Sequence, residues 1–178
     1  MPIVTLVHPA GYPVTVAEAR DHLRIDEADD AAIGRALAAA TYRCELFCMA
    51  RFVAQTVRWS TLALPIDYLA LPLVPVRSVD SIVFATAGGP VTLERAAYHL
   101  AMRGRQTIVR RAPGAAWPSP APVEDPIAVT MTLGAPAGEI PDHIKAAVLM
   151  TAARYYDNRS GDSDLPPAAQ SLLMGETW

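Results

Sequence analysis

Residues 31–51 read AAIGRALAAATYRCELFCMAR, the longest stretch with one clear period. Ile33, Leu37, Ala40, Cys44 and Phe47 recur at steps of three and four, which is the spacing of a buried helical stripe. Arg35, Arg43, Glu45 and Arg51 fall largely off that stripe. The acidic run 26–30 supplies a start, because Asp29 or Asp30 can accept hydrogen bonds from the free N–H groups of the first turn. Further upstream, Thr15-Val16-Ala17-Glu18 has the spacing of a capping box. It predicts an earlier helix that ends near Ile25, with Ala19 and Leu23 on one face.

Beyond residue 51 the period changes to two. Val57, Trp59, Thr61 and Ala63 alternate along 56–64, as on a half-buried strand. The apolar stretch 69–76 is broken by Pro72 and Pro75, which confines it to an edge or a turn-rich crossing. Residues 79–85 predict a strand, 87–90 a turn, and 91–93 the return. Two more strands are predicted at 107–111 and 127–133. The intervening 113–126 holds five prolines and reads as a loop.

Helical spacing returns at 143–157, where Ile144, Val148, Thr151, Ala152 and Tyr155 share a face behind a possible Asp142 cap. After a polar break at 160–164, Pro166-Pro167 suits the first turn of a short helix through Leu173, with Gly175 ending it. The expected fold is α+β but mainly α. It is a helical bundle of long N-terminal helices plus a C-terminal helix, with a small β-rich insertion in the middle. The expected divisions are 1–52 (helical), 53–139 (β-rich and Pro-rich), 140–159 (closing helix) and 160–178 (tail with a short helix).

Composition narrows the function classes. The 178 residues are 52% hydrophobic, enough to build a core, so the chain is not a disordered one. Net charge is −3, whereas nucleic-acid binders are usually basic. The first residues do not read as a signal peptide, and no apolar run is long enough to span a membrane, so a soluble cytoplasmic product is expected. Two cysteines do not make a disulfide framework.

Catalytic patterns are missing. His8, His22, His99 and His143 belong to no metal-binding spacing, and Cys44 and Cys48 read as small core residues on one helix face. The 26–30 acids do not make an EF-hand, since Ala31 and Leu37 stand where a glycine and a glutamate are required. There is no phosphate-binding or dinucleotide-binding glycine motif. No enzyme, metal or cofactor is expected. One charge cluster stands out: Arg95, Arg103, Arg105, Arg110 and Arg111 are candidates for contact with DNA phosphates or an acidic partner.

Several phrases together resemble the phage head–tail connector, or adaptor, family, which also occurs in gene transfer agents. They are the run 14–26 from Val14 to Asp26; Glu45, Arg51 and Gln55-Thr56; 71–79 from Leu71 to Val79; and 140–148 followed by Tyr155-Tyr156 and Arg159. The sequence departs from the family pattern at Asp157 and Asn158, where a glutamate is common, and in the 113–126 loop. The resemblance implies a ring of twelve subunits in a particle assembled in the host cytoplasm. The ring would dock under the portal protein and be followed by a stopper or tail-completion protein. DNA would pass through it without sequence-specific binding. On this reading Leu165, Leu172, Leu173, Met174 and Trp178, on a tethered apolar tail, are candidates for portal contact. The alternatives are a DNA-packaging accessory or DNA-binding protein of the same particle, and a small enzyme with a dispersed site at His99 or Cys48.

Overall fold

The computed structural model describes residues 3–25, 29–62, 68–158 and 164–176. The chain divides into two compact units. One, the β unit, joins 1–8 to 54–134; the other, the helical unit, joins 9–53 to 135–178.

The β unit contains two antiparallel sheets. The larger has the order β1-β2-β8-β4-β5, built from Ile3–Val7 (β1), Gln55–Thr61 (β2), Ile127–Leu133 (β8), Val76–Thr86 (β4) and Gly89–Thr92 (β5). The smaller has the order β3-β7-β6, from Tyr68–Ala70 (β3), Gln106–Arg111 (β7) and Tyr98–Arg103 (β6). Alternation decides which face is buried. Along β8, Ile127, Val129, Met131 and Leu133 are fully buried while the residues between them are half-buried. Val57 and Trp59 of β2 join them, and so do Leu69, Tyr98 and Val109 of the smaller sheet, so the two sheets share one core. Between β7 and β8, the 113–126 loop forms no strand. It is tied down by hydrogen bonds from the Ala121 N–H to the Ala85 carbonyl and from the Ala85 N–H to the Pro126 carbonyl, and by Trp117 stacked on Phe84.

The helical unit contains Val16–Leu23 (α1), Asp30–Cys48 (α2), Asp142–Asp157 (α3) and Pro167–Leu173 (α4). α2 packs on α3, α4 on α3, and α1 on both α2 and α3. The predicted capping box is formed at Thr15 and Glu18, and Asp29 caps α2 by accepting from the Ala32 N–H. Asp142 does not cap α3. It is the first helical residue, behind Pro141. On the α2 stripe Ile33, Leu37, Ala40 and Cys44 are buried, but Phe47 is exposed and Cys48 is buried instead. A helix of 3.6 residues per turn drifts off a fixed step of three and four, so the last turn presents the neighbouring residue.

The expectation of a mainly helical bundle is overturned. Among the described residues there are four α-helices and eight strands, 37% helical and 33% strand, so neither class dominates. β1 and β6 were not foreseen. β1 is an apolar run without alternation, exposed at most positions, and held by backbone pairing to β2 rather than by a buried face. β6 is built from Leu, Ala and Met, which are ordinary helix formers. Its hairpin with β7 decides its state, turning at Gly104, whose φ of 61° suits a tight hairpin.

Candidate interaction surfaces

The smaller sheet carries most of the predicted arginine cluster, and register shows how it is laid out. One face holds three rows: Tyr68, Arg110 and His99; then Ala70, Ile108 and Ala101; then Gln106 and Arg103. Arg103 donates to the Tyr68 hydroxyl and lies over its ring, 5.6 Å from the centroid. The line between them crosses the middle row, where the flanking residues are alanines and Ile108 is only 2% exposed.

Arg95 is held in a similar way. It follows Glu94 in a short 3-10 turn, sits 4.9 Å over the Tyr98 ring and donates to the Tyr98 carbonyl at 2.9 Å. Arg105 lies in the β6–β7 turn. Arg110 and Arg111, at the far end of β7, are exposed, and their side chains make no hydrogen bond or ion pair among the described residues. The five side chains therefore belong to one small sheet and its flanking turns, but occupy both ends of its hairpin. From Arg95 to Val123 the sequence has no acidic residue.

The tail residues are placed otherwise. Leu165 and Leu173 are buried in the helical unit's own core, together with Ala169, and α4 packs on α3. Leu172 is half-buried, and Met174 is exposed at 68%. Trp178 lies outside the described residues. The tail is further tied by Gln170 Nε2 donating to the Leu165 carbonyl at 2.8 Å and by His143 Nε2 lying 3.1 Å from Glu176 Oε1.

Open grooves also occur among the described residues of the helical unit. One, of about 220 Å³, lies between Ala32, Arg35, Ala36 and Ala39 of α2 and Tyr155 and Tyr156 of α3. Another, of about 260 Å³, is lined by Arg43, Leu46, Phe47, Asp164, Leu165 and Gln170. Neither gathers a nucleophile with a base. His8, His22 and His99 are exposed, and no group of metal-binding side chains occurs among the described residues. Cys44 and Cys48 are fully buried. Desolvation pushes the Cys44 thiol up to about 11, with the Thr151 hydroxyl 3.7 Å away, so it is a protonated core group. No described helix is long and apolar enough to cross a membrane.

No family model matches the sequence, and comparison with curated proteins gives no match. Solved structures do match. The chain is similar to a chain in the virion of a native gene transfer agent particle, with 26% identity and a TM-score of 0.82. It is equally similar, at 26% and 0.82, to one in the neck of an empty gene transfer agent particle computed with C6 symmetry. A third, at 26% and 0.80, comes from the neck of a native particle computed with C12 symmetry. In each case the match covers 99% of this chain and 95% of the other.

The likeness supports a structural component of a particle neck. It also supports a virion location and speaks against an enzyme. The gene transfer agent side of the sequence resemblance is met at that level.

Proposed function

We propose that this chain is the head–tail adaptor of a gene transfer agent or tailed-phage particle. It forms a ring of twelve subunits between the portal protein and a stopper or tail-completion protein, and extends the channel through which DNA passes. The observation that carries this reading is the near-complete structural match to chains in particle necks computed with six-fold and twelve-fold symmetry. The sequence resemblance to head–tail connectors points the same way. Met174 is an exposed tail candidate for contact with the portal; Leu165 and Leu173 act by holding α4 in place.

Electron microscopy of particles produced without this chain tests the reading. Tailless heads beside free tails are expected. Normally tailed particles would refute the adaptor role. A second reading, a DNA-binding accessory of the same particle, draws on the acid-free arginine segment and predicts salt-sensitive binding to DNA. The net charge of −3 works against it.

A further inference from the structure

We infer that the arginine-bearing small sheet of one copy docks on the acidic helical unit of the next copy around the ring; this rests on the ring reading above. A closed cyclic ring has head-to-tail contacts, so each subunit must present two different, mutually complementary patches. The chain's charge is divided in that way. The β unit has seven cationic side chains against five acidic ones, whereas the helical unit has eight against thirteen. Five of the β unit's seven cations lie between Arg95 and Arg111, with no acid among them.

The arginines also lie at the surface. All five are exposed, and the side chains of Arg110 and Arg111 have no hydrogen bond or ion pair among the described residues. Arg95 and Arg103 are each laid over a tyrosine ring. That restricts their rotamers beforehand and reduces the entropy lost on docking. On the helical unit, Asp21, Asp142 and Asp157 are exposed acids whose carboxylates make no hydrogen bond or ion pair among the described residues. A self-complementary patch would place like charges together, which costs several kcal/mol. Opposite-charge docking gives attraction, register and direction together. DNA is the less suited occupant, because the net negative helical unit repels phosphate.

The test uses the full chain and its Arg110→Glu/Arg111→Glu variant, with far-UV circular dichroism to verify folding. Oligomers of the purified chain are read by native mass spectrometry at low and high salt. Incorporation into necks is read in particles complemented with each chain. Self-association of the variant is expected to weaken on the order of tenfold or more, and high salt should weaken the wild type. The variant keeps its acidic face, so a small fraction mixed with wild type should end growing arcs and leave open oligomers. Should the double reversal fail to fold, Arg110→Gln/Arg111→Gln reads the same contact, because neither side chain has a described polar partner to lose. Variant rings as stable as the wild type's would overturn the inference and leave the ring reading standing. Wild-type chain that forms no ring in either setting would remove both. Intact variant rings together with lost binding to a short DNA duplex would assign the arginines to DNA instead.

Discussion

Arg103 reaches diagonally across the three-stranded sheet to the Tyr68 hydroxyl, across the row in which Ile108 is buried. Two features combine here. The guanidinium lies over an aromatic face and donates to the hydroxyl of the same ring, on a face that also carries Arg110 and His99.

Arg103→Ala should therefore cost the chain about 1 kcal/mol, from the lost cation–π attraction and the lost hydrogen bond to the Tyr68 hydroxyl. Tyr68→Phe keeps the ring and removes only the hydroxyl acceptor, so its cost should be smaller. Thermal unfolding of both variants checks the order. Equal costs would mean that the hydroxyl contact, and not the ring, carries the effect.

At the start of α1, Glu18 accepts from the Thr15 N–H at 2.6 Å and the Thr15 hydroxyl accepts from the Glu18 N–H at 3.1 Å. The backbone hydrogen bond from Thr15 holds the Glu18 carboxyl below its ordinary value. A lowered folded pKa contributes stability above the unfolded value, and this is lost as pH falls through the folded one. Thr15→Ala should cost about 1 kcal/mol near neutral pH. Glu18→Gln should remove this share of the acid-side pH dependence, as read by denaturant unfolding across the carboxylate range.

Glu45 shows the opposite sign. Burial pushes its carboxyl up, and the hydrogen bond from the Phe52 N–H (2.8 Å) and the Arg51 cation pull it down less. A raised folded pKa means stability that is fully present below the unfolded value and lost as pH rises through the folded value. Glu45→Gln keeps an acceptor for Phe52 and sheds the buried charge, so it should stay within about 1 kcal/mol of wild type at neutral pH. Glu45→Ala orphans the Phe52 N–H and should cost about 1–3 kcal/mol. The two variants compared by chemical unfolding decide whether this carboxyl serves as an acceptor or as a charge.

Truncation after Asp164 removes Leu165, Ala169 and Leu173 from the helical core. A buried leucine lost to a cavity typically costs about 2–5 kcal/mol, so the truncated chain should lose helical circular dichroism and not merely a binding tail. Met174→Ala should leave stability within about 0.5 kcal/mol, since the side chain is exposed at 68%.

Much of the local structure was legible because it depends on neighbouring residues. The Thr15 box, the Asp29 cap, the hairpin turn at Ala87-Gly88, β8 and the Pro166-Pro167 helix start all follow from short-range chemistry. The balance of helix and strand was not legible, because β1 and β6 owe their state to distant partners, β2 and β7. The arginines were visible as a cluster in sequence. Their division between the two ends of a hairpin, and the Arg103–Tyr68 span, depend on register, which no single segment encodes. The apolar tail looked like a docking peptide because tethered leucines carry the same pattern whether they pack on a partner or on their own chain.

The most direct test of the adaptor role is a cryo-electron microscopy reconstruction of the neck of intact particles that carry this chain. A ring of twelve copies of this fold is expected directly beneath the portal and above the next tail protein. A neck whose portal meets the stopper with no such ring between them would contradict that role.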